Sequence, residues 1–87
     1  MGLDIVELVY GVEDHFEISI PDDVAPRLES VGLLHEFICA ELHRLGRNTR
    51  TPQKVMDELV GLVSKHSGIN AAKILPESRF VDDLRMD

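Results

Sequence analysis

The chain has a single cysteine, Cys39, so it cannot form a disulfide within itself. A lone thiol fits a reducing compartment, and a cytoplasmic location is expected. Tryptophan is absent and aromatic residues make up only 5% of the sequence. A core built from these residues is aliphatic and thin. No apolar run approaches the roughly 20 residues needed to cross a bilayer, so no membrane association is expected. The N-terminal stretch lacks a basic segment followed by an apolar one, the pattern of a secretory signal. The most informative deficit is in charge. Residues 1–26 contain Asp4, Glu7, Glu13, Asp14, Glu17, Asp22 and Asp23 but no Lys or Arg. The rest of the chain holds nine acids and nine bases, so the whole formal charge of −7 resides in the first segment. Such a segment repels phosphate backbones and excludes nucleic acid as a natural partner, while it attracts basic protein surfaces.

What is present is one domain's worth of helix-forming sequence. The 87 residues suffice for one small domain and not for two. Leu3 to Phe16 reads as a helix with Leu3, Val6, Val9, Tyr10, Val12 and Phe16 on its apolar stripe. Ile20 before Pro21 is pushed out of the helical region and marks an extended exit. Asp22 or Asp23 is placed to cap a short helix over Val24 to Glu29, with Pro26 in its first turn. Ser30 is a good N-cap for a helix from Val31 to Leu45, whose stripe is Val31, Leu34, Phe37, Ile38, Leu42 and Leu45. Gly46 ends it. Residues 46–51 form a polar, basic linker. Thr51-Pro52 opens the last long helix, which runs to about His66 and carries Val55, Met56, Leu59, Val60 and Val63. Gly68 stops it. Ile69 to Asp87 is mostly irregular, anchored by Ile69, Ile74, Leu75, Phe80, Val81 and Leu84. The fold class expected is all-α: a small bundle of four helices, three major and one short.

Reactive side chains offer little. His35, Cys39 and His43 lie at i, i+4 and i+8 on one helix, and pairs at that spacing can share a zinc ion. Three cannot easily do so, because eight residues of helix rise about 12 Å. They read as a helix flank with a half-buried thiol and two solvent-facing imidazoles. No motif orients Cys39 as a nucleophile. Neither a metal site nor an enzyme is expected.

A family resemblance emerges from two blocks. Leu3-Asp4-Ile5-Val6-Glu7-Leu8-Val9, followed by Glu13-Asp14-His15-Phe16 and Ile20-Pro21-Asp22, resembles the second half of an acyl carrier protein, and Val31 to Leu45 resembles that family's final helix. Val55 to His66 resembles the opening helix. Ser67-Gly68-Ile69 and Ile74 resemble the loop start. Ser78-Arg79-Phe80-Val81-Asp82-Asp83-Leu84 resembles the stretch leading into the cofactor motif, which Asp87 would open. The blocks therefore stand in swapped order: residues 1–45, a linker at 46–51, and residues 52–87, all within one carrier-like domain.

The resemblance implies a carrier-type bundle, either permuted within one chain or domain-swapped between copies, with a role in fatty acid or polyketide synthesis. The family attaches 4'-phosphopantetheine to a serine at the exposed head of a helix, where free N–H groups and the helix dipole favour the phosphate. The family pattern at the joint is Asp-Ser-Leu. Here Asp87 would precede Met1, and Gly2 stands in the serine's place before Leu3. Glycine offers no hydroxyl, so no cofactor is expected in this form. Asp4, Glu7, Glu13 and Asp14 match positions that meet basic patches of phosphopantetheinyl transferases and synthases in the family. Exchange of halves would make the partner a second copy. The alternative role is a non-carrying structural adaptor that self-associates or binds a basic protein.

Overall fold

A computed structural model describes residues 3–47 and 49–86, with side chains from Ile5 onward. Three helices carry the fold: α1 (Leu3–Phe16), α2 (Val31–Arg44) and α3 (Pro52–Ser67). Two single 3-10 turns, Ala25–Arg27 and Ala71–Lys73, interrupt the connections. Among the described residues there is no strand, only an isolated antiparallel bridge between Ser30 and Arg79. The all-α expectation holds, with the short helix reduced to one 3-10 turn.

Local chemistry sets the helix ends. Ser30 accepts a hydrogen bond from Leu33 N–H at 3.3 Å and caps α2. Thr51 accepts from Lys54 N–H at 3.1 Å and caps α3, with Pro52 in the first turn. Gly68, at φ 76°, ends α3 in the left-handed conformation that glycine adopts without steric cost. The turn at Ala25–Arg27 departs from expectation. Val24, not Asp22 or Asp23, stands at the cap position, in helical geometry, and no side chain caps the turn. The turn is held by backbone bonds from Val24 and Ala25 N–H to the Pro21 carbonyl.

α3 packs against both α1 and α2 and against the 3-10 turn that follows it. Its inner face is Val55, Leu59 and Val63. Met56 and Val60, read from sequence as part of the stripe, are half-buried and pack on the core's edge. α2 buries Val31, Leu34, Ile38 and Leu42. Leu45, expected to extend this stripe, is 40% exposed because the helix ends at Arg44. The α1 stripe needs the largest correction. The buried residues are Ile5, Leu8, Val12 and Phe16, at helical spacing, while Tyr10 is 65% exposed and Val6 and Val9 are half-buried. Apolar residues occupy much of this helix's circumference, so periodicity alone admitted two neighbouring stripes.

The irregular segment after α3 is a structural element in its own right. It contributes Ile74, Phe80, Leu84 and Met86 to the same core cluster as the three helices. Leu75 and Val81, expected as anchors, are 49% and 50% exposed. Met86, which the sequence reading did not single out, is almost fully buried.

Candidate functional site at the head of helix α1

The resemblance to the carrier family predicts a candidate site where the segment ending near Met86 would meet the start of α1. Gly2 and Asp87 lie outside the described residues, as do the side chains of Leu3 and Asp4. The surroundings are described, and they begin with backbone pairing. Val31 N–H donates to the Ser78 carbonyl at 3.0 Å, Gly32 N–H to the Pro76 carbonyl at 2.7 Å, and Phe80 N–H to the Glu29 carbonyl at 3.0 Å. The first N–H groups of a helix have no partner within it. Here the segment 76–78 supplies partners to two of them, and α2 fixes the path of that segment in return. Gly32 permits the approach: a Cβ there would sit 2.9 Å from the Pro76 carbonyl oxygen.

Beyond this pairing, residues 79–86 fold into consecutive turns. The Asp83 carboxylate accepts from Arg79 N–H at 2.8 Å, while Asp83 N–H donates to the Arg79 carbonyl at 3.0 Å. These two bonds close a small reciprocal ring. Leu84 N–H also reaches the Arg79 carbonyl, and Met86 N–H reaches the Phe80 carbonyl at 2.8 Å. Arg85 adopts φ 55°, the left-handed region, and turns the chain so that Met86 points inward. Ser78 is buried, and its hydroxyl accepts from Leu75 N–H at 3.0 Å. The stretch from Ser78 to Leu84 thus has a local structural reason for its composition. Phe80 and Leu84 fill the core, Asp83 closes the turn, and Arg79 pairs with Asp82 at 3.5 Å on the surface. Phe80, Leu84 and Met86 share one buried cluster with Ile5 and Leu8 of α1.

Covalent attachment of a phosphopantetheine arm, as the resemblance implies it, needs a serine hydroxyl, and Gly2 at the expected position has none. The serines elsewhere do not substitute for it. Ser30 caps α2 and Ser78 is buried. The Ser64 hydroxyl donates to the Ile69 carbonyl at 2.6 Å, and Ser67 accepts from Ile69 N–H at 3.1 Å. Ser19 is exposed but follows the far end of α1.

The acids of the first segment divide into two kinds. Glu7 and Asp14 are exposed on the outer face of α1 with Tyr10, at the i, i+3, i+7 spacing of one helix face. Glu13 is half-buried, and its carboxylate accepts from Ile20 N–H at 2.8 Å. It holds the chain leaving α1 while Ile18 and Ile20 are buried. Its position resembles that of a partner-binding acid, but one of its oxygens is already committed to the fold.

A polar cluster missed by the sequence reading joins the end of α1 to the start of α3. His15 Nε2 lies 2.7 Å from Glu58 Oε1, and Arg50 Nε donates to Glu58 Oε2 at 3.0 Å. The Arg50 guanidinium stacks over the Phe16 ring at 5.5 Å, a cation–π geometry. The hydrogen bond with His15 holds the Glu58 carboxyl below its usual value, helped by the positive charge of Arg50 and opposed by partial burial. The partners lie far apart in sequence, so no short-range spacing could have revealed the cluster.

On α2, the half-buried His35 imidazole bonds the Pro52 carbonyl at 2.9 Å at the surface, and Cys39 Sγ lies 3.5 Å from the same ring nitrogen. Burial raises the Cys39 thiol above its usual value, which opposes nucleophilic use. Among the described residues no three His, Cys, Asp or Glu side chains converge as a metal site. No described helix is long and apolar enough to cross a membrane.

Known proteins similar to this chain are acyl carrier proteins. Over 39 residues it is 47% identical to the mitochondrial acyl carrier protein of Saccharomyces cerevisiae, covering 45% of this chain and 31% of that protein. Over 37 residues it is 50% identical to an acyl carrier protein of a Sulfurovum species, covering 42% and 49%. Over 31 residues it is 57% identical to that of a Picosynechococcus species, covering 36% and 38%. The matching stretches span no more than about half the length of these curated relatives. No family model matches the chain, and no solved structure matches it. The chain is thus related in sequence to acyl carrier proteins over part of its length, and its fold is a small all-helical bundle.

Proposed function

We propose that this chain is an acyl-carrier-like module whose two halves are joined in permuted order. In its present form the module carries no phosphopantetheine. The observation that carries the reading is the shared core. Phe80, Leu84 and Met86, from the stretch resembling the approach to a cofactor motif, are buried with Ile5 and Leu8, from the stretch resembling the recognition helix. That both stretches contribute to one core supports a single carrier-like domain built from the two blocks. Relatedness to named acyl carrier proteins supports the same reading.

The role that follows is that of a protein presented to enzymes rather than an enzyme itself. Phosphopantetheinyl transferases and synthases of fatty acid or polyketide synthesis, with basic patches, are the natural partners. Glu7 and Asp14, exposed on α1, are the acids available to meet them. Such a surface steers encounter more than it adds affinity. Because the halves are complementary, two copies could also exchange them. A second reading is favoured by Gly2 itself: a chain with no hydroxyl at the loading position can serve as a non-carrying adaptor for a basic partner through the same acidic face.

The test is enzymatic loading. The natural sequence, incubated with coenzyme A and a promiscuous phosphopantetheinyl transferase, keeps its mass. The Gly2→Ser variant gains one phosphopantetheine, located at residue 2 by peptide mass spectrometry. A folded Gly2→Ser protein, judged by circular dichroism, that gains no mass would overturn the carrier reading and leave the adaptor.

A further inference from the structure

The chain leaves α2 through a turn at Gly46 and Arg47 built from specific contacts. Gly46 sits at φ 71°, and its N–H reaches the His43 carbonyl at 3.1 Å. Arg47 N–H reaches the Leu42 carbonyl at 2.7 Å, so the last turn of α2 is closed off in left-handed fashion. The Arg47 guanidinium then donates to the Glu17 carbonyl, just past α1, where the backbone is also left-handed at φ 55°. Arg47 thereby ties the chain leaving α2 down onto its own half of the molecule.

Each half presents an apolar face that it does not cover itself. Val12, Phe16, Ile38 and Leu42 lie on one side of this turn, and Val55, Leu59, Val63 and Phe80 on the other, all in a single cluster. The pairing of residues 29–32 with 76–80 also crosses the turn. None of these contacts depends on the halves belonging to one polypeptide. The closed and exchanged forms differ only in the direction the chain takes after α2, which Gly46 and Arg47 set. We infer that Gly46 and Arg47 decide whether the chain closes on itself or exchanges halves with a second copy, which is therefore the partner this interface fits. Domain exchange is a low-cost route to dimers when a hinge disfavours closure. The inference develops the exchange of halves named above and does not depend on the carrier chemistry, because phosphopantetheine loading of Gly2→Ser reads out residue 2 alone.

The experiment uses the full chain, refolded from denaturant over a range of concentrations and sized by light scattering. Gly46→Val places a β-branched residue at a positive φ, and the extended hinge of an exchanged dimer relieves that strain. The effect is about tenfold per hinge, or about 100-fold in the dimer dissociation constant. Gly46→Asn, whose side chain tolerates the left-handed region, behaves as the natural sequence. Arg47→Ala leaves the backbone unstrained and shifts the same constant by about tenfold. In the exchanged dimer, amide NMR shifts outside residues 45–51 coincide with those of the monomer. If Gly46→Val and Arg47→Ala both remain as monomeric as the natural chain, the inference fails. It also fails if their dimers show new shifts across a helix surface, which would mean side-by-side association.

Discussion

Two glycines in helices give a matched test of what holds the segment 76–86 in place. Replacing either with alanine removes backbone entropy from the unfolded chain and gains up to about 1 kcal/mol of helix propensity. Their surroundings differ. A Cβ on Gly61 meets nothing within 4 Å, so Gly61→Ala realises that gain. A Cβ on Gly32 would stand 2.9 Å from the Pro76 carbonyl oxygen, a backbone atom that moves only if the whole segment moves. Overpacking of this sort costs about 1–3 kcal/mol. The hydrogen bond from Gly32 N–H to that carbonyl, 2.7 Å long, is stretched at the same time, costing about 1 kcal/mol more. After the propensity gain is set against these terms, Gly32→Ala is destabilised by about 1–3 kcal/mol. In a domain of this size each kcal/mol moves the melting temperature by about 4–8 °C. Thermal unfolding followed by circular dichroism therefore gives shifts of opposite sign, upward for Gly61→Ala and downward for Gly32→Ala. Hydrogen exchange localises the damage: the Val31 and Phe80 amides lose protection in Gly32→Ala while those of α3 keep theirs. Shifts of the same sign, or a Gly32→Ala protein as stable as the parent, would refute the close approach that brings residues 80–86 into the core.

Acid sensitivity should trace to Glu58. Its folded-state carboxyl lies below the usual value of 4.5, so its stabilising contribution is complete above that value and disappears as pH falls through the lower folded-state value. Glu58→Gln flattens the acid limb of a stability–pH curve, and an unchanged limb in urea titrations would contradict the cluster. Glu41, likewise held down by its hydrogen bond with Arg44, titrates in the same direction. Glu13→Gln replaces a charged acceptor at Ile20 N–H with a neutral one and lowers stability by about 1 kcal/mol. A urea midpoint equal to the parent's would place Glu13 back among the free surface acids.

Helix ends were the most legible part of the fold, because they depend on neighbours in sequence. Ser30, Thr51, Pro52, Gly46 and Gly68 each act within a few residues, and each does what its chemistry announces. Faces were read less well. α1 has apolar residues around much of its surface, and only the partner it packs against selects Ile5 and Leu8 over Val6 and Tyr10. The irregular segment followed a different rule. Its anchors are chosen by turns such as the Arg79–Asp83 ring, which have no fixed period, so apolar character alone does not separate the exposed Leu75 and Val81 from the buried Met86. The candidate site depended on recognising two ordered blocks of residues. Nothing in composition would have linked Phe80 to Leu8, and the Glu58 cluster had no signature because its members converge from three separate stretches.

The shared core also has a consequence for synthesis. A ribosome delivers α1 well before α3, against which it packs, and before the segment holding Phe80, Leu84 and Met86, so the inward side of α1 emerges without the rest of the core. Until the later parts of the core arrive, Ile5 and Leu8 are apolar surface on offer to chaperones or to neighbouring nascent chains. An arrangement with the two stretches consecutive would complete the same nest within a few residues of elongation. Here the nest is finished late, and collapse must wait for contacts between distant parts of the chain.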